Sequence, residues 1–330
     1  MGTQAMRLCA VSVDLDEVPC YAAIHGIDAN MPALQESAHA IYERAVPRLQ
    51  RFFEREKIAA TFFAVGQDLA HAPNAEVLRD LQASGHEIAS HSFGHHYDLT
   101  RRGRAFIEAD IRQSLDAIER ATGKRPTGFR APGYTITDEV FEVLRSLGLQ
   151  YDSSVFPCPS YYGAKAAMIN ALRVRALTGK TKKSHSIIDD PRVLAAPANP
   201  YIPGDVYWRA SSSASRDALI EVPIGVTRRT RLPFIGTSVA LAGETGAQLL
   251  ATQMVGRPVV VLELHGIDLA DADQDGLAWL RQHQPDLRKT AAEKDIALRG
   301  AISVLRANGY KFVTTHEAAM AWQSPREATG

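Results

Sequence analysis

The sequence predicts an α/β fold built on a mostly parallel β-sheet. Short apolar runs with strand character alternate with segments of helical periodicity roughly seven times along the 330 residues. Four helical segments are followed by a glycine, as expected at helix C-termini, at Gly85, Gly123, Gly148 and Gly309. Such a sheet can close into a barrel or stay open as a doubly wound sheet, and the alternation alone does not choose between them.

Eight strands and seven helices are expected, and the helix over 104–121 has the clearest pattern. Its residues Ile107, Ile111, Leu115 and Ile118 are spaced by four, four and three, which places them on one helix face. The expected strands cover 8–13, 60–65, 87–89, 128–129, 150–151, 219–222, 259–264 and 312–314. The expected helices cover 36–56, 75–84, 104–121, 137–147, 246–255, 290–308 and 316–322.

One long segment, 156–218, does not fit this alternation and is rich in proline, serine and tyrosine. We therefore expect a single domain over residues 1–330 that carries a basic insertion or lid at about 156–218. The overlapping stretch 153–188 contains no Asp or Glu. It is either a solvated basic lid or a basic amphipathic element near a membrane surface or a phosphate. Its cations are Lys165, Arg173, Arg175, Lys180, Lys182 and Lys183.

The overall composition excludes several classes of protein. Lys and Arg number 37, as do Asp and Glu, so the formal net charge is zero and a uniformly basic nucleic-acid binder is excluded. Three cysteines are too few for a disulfide framework, and no apolar run approaches the roughly 18 residues of a membrane span. Because the first expected strand begins at Leu8, we expect no secretory leader and a cytoplasmic protein.

Polar side chains follow the first and third expected strands. Asp14 and Asp16 are two apart and share a face of an extended chain, while His91 and His95 are four apart just past a strand. Two imidazoles and one carboxylate form a standard ligand set for a divalent transition metal, and the four-residue spacing favours His95 over His96. A spare carboxylate beside such a metal can act as general base, so these residues indicate metal-assisted hydrolysis of an amide.

Five short motifs, which follow expected strands in chain order, resemble those of the polysaccharide deacetylases, the NodB-homology group of carbohydrate esterases (family 4). The spaced Asp-x-Asp form is similar to the branch that contains intracellular deacetylases and cyclic-amide hydrolases. The resemblance runs from about Leu8 to Glu317 and implies a distorted (β/α)7-type barrel with one long insertion. The motifs are Asp14-Leu15-Asp16, His91-Ser92-Phe93-Gly94-His95, Arg130-Ala131-Pro132, Asp152 in Tyr-Asp-Ser-Ser, and Leu264 before His265.

The resemblance implies a metal centre and a general base. Asp16, His91 and His95 would hold a divalent metal, with zinc expected and cobalt, nickel, manganese or iron as alternatives. Asp14 would be the general base, and Arg130 would orient and tune it.

The same resemblance implies the remaining catalytic roles. His265 would be the general acid, oriented by Asp152. Pro132 and a backbone amide near Tyr134 would help to bind substrate and stabilise the oxyanion. Gly133 stands where the family has a tyrosine directly after the proline, which shifts the oxyanion assignment by one residue.

The function implied is removal of an N-acyl group, most often acetyl, from an amino sugar of a glycan or lipid-linked glycoconjugate. We expect no nucleic-acid partner and a location in the cytoplasm, with peripheral contact at the inner membrane face as a further expectation. Two alternatives stay open at this point. One is a hydrolase that opens cyclic imides or ureides on the same fold, and the other is a non-catalytic glycan-binding module. The sequence does not specify the oligomeric state.

Overall fold

The computed structural model describes residues 7–177, 187, 190–212 and 218–323. Within these residues, eight strands belong to one sheet, and helices connect most of them. The strands are β1 (Leu8–Leu15), β2 (Thr61–Ala64), β3 (Glu87–Ser90), β4 (Gly128–Phe129), β5 (Tyr151–Asp152), β6 (Ile220–Glu221), β7 (Val259–His265) and β8 (Lys311–Val313). The helices are α1 (Val18–His25), α2 (Pro32–Glu36), α3 (Val46–Glu56), α4 (Ala72–Ala83), α5 (Arg104–Thr122), α6 (Asp138–Ser146), α7 (Pro159–Leu177), α8 (Gly236–Met254), α9 (Ala291–Ala307) and α10 (Thr315–Gln323).

The sheet is a curled, parallel half-barrel, which confirms the predicted α/β class and the distorted barrel. The strand order is β6-β5-β4-β3-β2-β1-β7, and β8 also pairs with β1. Every pairing between these strands is parallel. A further parallel bridge from Ile235 to Glu263 connects the segment after β6 to β7, so the curled sheet bends back toward its other end. The barrel is distorted because β4, β5 and β6 contribute only two residues each.

The predicted strands are all present, but two predicted helices differ from those observed. The helix expected over 36–56 is divided into α2, a π-helical turn at Ile41–Ala45 and α3. Pro47 lies in the first turn of α3, where a residue without an N–H is tolerated. The helix expected to begin at residue 246 begins instead at Gly236 and bends at Gly243, where φ is 65°.

A helix also lies within the segment that did not fit the alternation. α7 covers 19 residues of it, so the insertion is partly regular structure. Of the six cations expected on a basic lid, Lys180, Lys182 and Lys183 lie outside the described residues, and Lys165 is buried. Among the helices of the described ranges, none combines the length and the apolar character needed to cross a membrane.

The strand register explains how residues far apart in sequence meet. Asp14 on β1 is opposite His265 on β7, and Ser12 is opposite Glu263. Because side chains alternate along a strand, Ser12, Asp14 and Asp16 project to the same side of the sheet. The carboxyl ends of β1, β3 and β7 therefore bring acidic and histidine side chains to one edge of the barrel.

Candidate functional site

Asp16, His91 and His95 form a buried cluster with the geometry of a metal site. The Asp16 Oδ1 atom lies 3.3 Å from His91 Nε2 and 3.2 Å from His95 Nε2. One ligand atom from each of the three residues lies within 4.8 Å of the others. Asp16 Oδ1 and His95 Nε2 are buried without a hydrogen bond to any described group. Buried polar atoms of this kind normally have a partner, and two imidazoles with one carboxylate suit a divalent transition metal.

A hydrogen bond at Nδ1 fixes the orientation of the His91 ring. Its Nδ1–H donates a hydrogen bond of 2.7 Å to the backbone carbonyl of Arg130. This bond selects the tautomer in which Nε2 carries a lone pair, and Nε2 is the atom that faces Asp16. A backbone carbonyl that orients a metal-ligating histidine in this way is a common supporting contact.

The loop that carries both histidines is held in an uncommon backbone conformation. Ser92 and His95 have positive φ angles of 66° and 48°. The Ser92 hydroxyl accepts a hydrogen bond of 3.1 Å from the His95 amide. The Asp110 carboxylate accepts bonds of 2.9 and 3.0 Å from the amides of Phe93 and Gly94. These bonds offset the cost of the left-handed residues and aim the His95 ring at the cluster.

The structure brings His95 rather than His96 to the cluster. The His95 side chain is 2% exposed, whereas the His96 side chain is 33% exposed and its Nε2 lies 3.9 Å from Asp110. For Asp16, burial alone would raise the carboxyl pKa. The nearby charges of His95 and His91 outweigh this effect and hold that pKa well below its usual value. The lowered pKa keeps Asp16 anionic at neutral pH.

Asp14 is held by a buried arginine on one oxygen and is unpaired on the other. Arg130 donates to Asp14 Oδ1 at 2.7 Å and to the Ser12 hydroxyl at 2.9 Å, and Ser153 accepts two more of its bonds at 2.8 Å. Asp14 Oδ2 is buried without a hydrogen-bond partner among the described residues and lies 3.8 Å from His91 Nε2. A carboxylate oxygen beside the metal cluster is thus available to accept a proton.

His265 is paired with Glu263, two residues earlier on β7. The Glu263 Oε1 atom lies 2.9 Å from His265 Nδ1, and the Glu263 side chain is fully buried. Burial lowers the pKa of His265, but the nearby charge of the Glu263 carboxylate outweighs it and holds that pKa well above its usual value. The raised pKa favours the protonated imidazolium, which is the form that a general acid requires.

Asp14, Glu263 and His265 also lie close enough to one another to hold a metal ion. We interpret them instead as a proton-transfer group. The guanidinium of Arg130, 2.7 Å from Asp14, repels a second cation at this position. The Nδ1 atom of His265 also already faces Glu263.

Asp152 does not contact His265 in the way that the resemblance implied. Its two carboxylate oxygens accept bonds from the Ser154 hydroxyl at 2.7 Å and the Ser154 amide at 3.1 Å. The Ser154 hydroxyl in turn accepts a bond of 2.8 Å from the amide of Ala131. Asp152 therefore supports the loop after Arg130, and Glu263 takes the position beside His265 that was expected for Asp152.

The oxyanion assignment also changes. The Tyr134 amide already donates to the Ala131 carbonyl at 3.1 Å, in a turn that includes Pro132. The Gly133 amide donates to no group in the described part of the chain. Gly133 has φ of 60°, and a Cβ there would lie 2.8 Å from the Tyr97 ring, so only glycine fits without strain. The available amide is therefore that of Gly133, directly after the proline.

The site opens into a cleft with two arms that meet at Tyr97. The first, which we call the aromatic arm, has a volume of about 620 Å³ and includes Asp16, His265 and Tyr134 in its wall. The second, the basic arm, has a volume of about 670 Å³ and includes His95, Arg101 and Arg102. Both volumes are in the usual range for small-molecule sites, about 300–1,000 Å³.

Sequence reasoning missed two residues of this cleft. Glu263 directly precedes the fifth motif, and its two-residue spacing from His265 was the signal that could have identified it. Lys165 was assigned to a basic lid, yet it is 7% exposed and donates a hydrogen bond of 2.9 Å to the Gly133 carbonyl. No local pattern marks that contact, because it joins α7 to a loop more than 30 residues away.

A family model supports the resemblance directly. The model described as polysaccharide deacetylase matches residues 38–151, which contain His91, His95 and Arg130. Over these residues the chain is similar to the polysaccharide deacetylases. The matched segment ends before β7 and therefore does not include Glu263 or His265. The fold, not the match, brings these two residues close to the matched ones.

Two curated relatives and one solved structure illustrate the similarity. The chain is 28% identical over 149 residues to a peptidoglycan deacetylase of Helicobacter pylori, covering 45% of this chain and 49% of that protein. It is 31% identical over 150 residues to a peptidoglycan deacetylase-like protein of Gibberella zeae, covering 44% and 43% respectively. The chain thus spans about half the length of the curated relatives it matches.

The solved structure is a candidate polysaccharide deacetylase from Mycobacterium smegmatis. It aligns with a TM-score of 0.55 and 18% identity, over 97% of this chain and 92% of that one. At this identity the likeness shows the shared fold, the curled parallel barrel, and nothing more specific.

Proposed function

We propose that this chain is a metal-dependent hydrolase that removes an N-acyl group, most often acetyl, from an amino sugar of a glycan. The observation that carries the proposal is the convergence of three groups at one edge of the barrel. These are the Asp16–His91–His95 cluster, the unpaired oxygen of Asp14 and the protonated His265. Metal-assisted amide hydrolysis needs these parts together: a Lewis acid, a base for water and an acid for the amine.

The donor set fits a divalent transition metal, with zinc as the proposed ion and cobalt, nickel, manganese or iron as alternatives. Two of the three donor atoms are buried and otherwise unpaired, and a hydrogen bond to the Arg130 carbonyl orients the His91 ring. When bound, such a metal polarises the acyl carbonyl and lowers the pKa of a water molecule. It would be held by Asp16, His91 and His95.

The chain's own residues then move the protons. Asp14 accepts a proton from the attacking water through Oδ2, while Arg130 holds Oδ1 and prevents the carboxylate from rotating. The Gly133 amide donates a hydrogen bond to the oxygen that gains negative charge. His265 delivers its proton to the departing nitrogen, and the negative Glu263 keeps it protonated until that step.

We also propose a lipid-linked substrate, a cytoplasmic location and contact with the membrane surface. Arg173 on α7 is exposed, but Lys180, Lys182 and Lys183 lie outside the described residues. The buried position of Lys165 removes one charge from the surface that would face a membrane. The support for these proposals is therefore the sequence composition alone.

The proposed activity is tested by supplying the zinc-loaded protein with N-acetylglucosamine oligomers and, separately, with cyclic imides and ureides. Released acetate and opened rings are quantified by chromatography. We expect acetate from the oligomers, and we expect the variant His95→Ala to lose both bound zinc and acetate release. Ring opening without acetate release would favour the cyclic-amide alternative. Glycan binding without either reaction would favour a non-catalytic module.

A further inference from the structure

A lysine on α7 reaches the loop that carries the proposed amide donor. Lys165 donates a hydrogen bond of 2.9 Å through Nζ to the Gly133 carbonyl. A Cβ built on Gly133 would lie 3.5 Å from the same nitrogen. α7 belongs to the segment that interrupts the strand–helix alternation. An element of the insertion therefore contacts the residue that is proposed to supply the oxyanion donor.

Lys165 lies inside the cleft rather than on the surface of a lid. The residue is 7% exposed and belongs to the wall of the aromatic arm, together with Asp16 and His265. Its Nζ also lies 5.7 Å from the centroid of the Tyr161 ring, within reach of a cation–π contact. Burying an ammonium group costs free energy unless directed contacts replace its water. The placement of this lysine thus depends on its contacts with the loop and with α7 itself.

The contacted loop holds two consecutive residues in the left-handed region. Gly133 has φ of 60° and Tyr134 has φ of 59°. This conformation is unfavourable for a residue other than glycine, so surrounding contacts must hold it. Tyr162, three residues before Lys165 and on the same face of α7, donates a longer bond of 3.5 Å to the Tyr134 carbonyl. α7 therefore holds both carbonyls of the left-handed pair.

The contact with the Gly133 carbonyl also limits the direction of the Gly133 amide. Both groups belong to one residue, and only two soft backbone torsions separate them. A donor that stabilises a developing negative charge is most effective when it is already aimed and needs no rearrangement during the reaction. Lys165 can therefore affect the reaction without touching the reacting atoms.

We propose that Lys165 is a positioning residue, which holds the Gly133 carbonyl and thereby aims the Gly133 amide at the acyl oxygen of the substrate. The inference rests on the proposed function, because it uses that amide as the donor to the oxygen that gains negative charge. It makes α7 a part of the active site rather than a cover over the cleft. Loss of the contact slows the chemical step and leaves the binding of substrate and metal largely unchanged.

The test measures kcat and KM for acetate release from N-acetylglucosamine oligomers by zinc-loaded wild type, Lys165→Met and Lys165→Arg. Methionine keeps an apolar side chain of similar length but cannot donate a hydrogen bond, whereas arginine can donate to the same carbonyl. We expect kcat of Lys165→Met to fall about 10- to 150-fold, which corresponds to the loss of one hydrogen bond from a charged group. KM and zinc content should stay near the wild-type values, and Lys165→Arg should recover part of the lost kcat.

Arg173→Met is the matched control. Arg173 lies on the same helix and is exposed, so the substitution removes one positive charge from α7 outside both arms of the cleft. This variant should keep the wild-type kcat and KM. Thermal unfolding checks that each variant is folded. If Lys165→Met is not, Lys165→Gln, which is shorter and neutral, takes its place with the same expected loss of kcat.

The outcomes separate the two levels of the account. A wild-type kcat after loss of the lysine, a higher KM with kcat unchanged, or an equal loss of kcat in Arg173→Met would overturn the positioning role while the deacetylase proposal stands. A Lys165→Arg protein as slow as Lys165→Met would overturn it as well. If the wild type releases no acetate from any oligomer, the proposed function itself fails, and this inference fails with it.

Discussion

The pairing of Glu263 with His265 leads to a prediction for the variant Glu263→Gln. The amide has nearly the shape of the carboxylate and retains an oxygen that can accept a hydrogen bond, so the substitution removes mainly the negative charge. In the native protein the carboxylate lies 2.9 Å from His265 Nδ1 and is fully buried. The charge raises the pKa of His265 against the opposing effect of burial.

The size of the effect can be worked from this contact. An opposite charge at such a distance shifts a pKa by about 1–3 units. One unit corresponds to about 1.4 kcal/mol of differential interaction between the two protonation states. Because the His265 side chain is 24% exposed, water screens part of the interaction. The pKa of His265 should therefore fall toward its ordinary value in Glu263→Gln.

The sign of the pH effect follows from the role of the acid. His265 must be protonated to donate, so kcat/KM declines as the pH rises through its pKa. The variant Glu263→Gln should therefore move this alkaline limb to lower pH. The stability effect has the same origin. A histidine with a raised folded pKa adds stability that is fully present below its unfolded pKa of about 6.5. This contribution disappears as the pH rises through the folded value, and the variant loses most of it.

The assay is the pH profile of kcat/KM for acetate release, recorded on zinc-loaded wild type and variant. Glu293→Gln is the control, because its carboxylate caps α9 and the change removes one negative charge outside the described cleft. The control should keep the wild-type profile. An alkaline limb that stays in place in Glu263→Gln, with activity reduced equally at every pH, would refute the reasoning.

Three further predictions follow from the same geometry. A lysine in the variant Arg130→Lys cannot satisfy all four acceptors of the guanidinium. The free energy of unfolding, measured in urea, should fall by about 1–3 kcal/mol per acceptor left unpaired. The value of kcat should also fall, with zinc content unchanged. In Gly133→Ala, the alanine must adopt a left-handed backbone, which costs about 1–2 kcal/mol. Its Cβ would also lie only 2.8 Å from the Tyr97 ring, so kcat/KM should fall about 10-fold or more. Chelation should lower Tm in the wild type. His95→Ala should lose zinc by elemental analysis, whereas His96→Ala should retain it; zinc loss in His96→Ala alone would reverse the ligand assignment.

The sequence was sufficient to predict the strands and the side chains at their carboxyl ends. Asp14, Asp16, His91 and His95 could be identified because the period of a strand and the spacing of a ligand pair are both local properties. Their meeting at one edge follows from parallel pairing, which the strand–helix alternation predicted. The register of β1 against β7 then places Asp14 opposite His265.

The rest depends on contacts that have no local signature. Asp152 was expected to orient His265, but the structure gives that position to Glu263, and the hydrogen bonds of Asp152 go to Ser154. The burial of Lys165 depends on how α7 packs over the loop after Arg130, which composition cannot reveal. A cationic residue is exposed far more often than buried, so the basic-lid interpretation of Lys165 was the expected one.

The most direct test of the central claim measures bound metal and acetate release on the same samples of the wild type and Asp14→Asn. Asp14 lies beside the Asp16–His91–His95 cluster but is not one of its three proposed ligands. Both proteins should therefore bind about one zinc ion per chain, and only the wild type should release acetate from N-acetylglucosamine oligomers. An Asp14→Asn protein that releases acetate at the wild-type rate with its zinc intact would contradict the account.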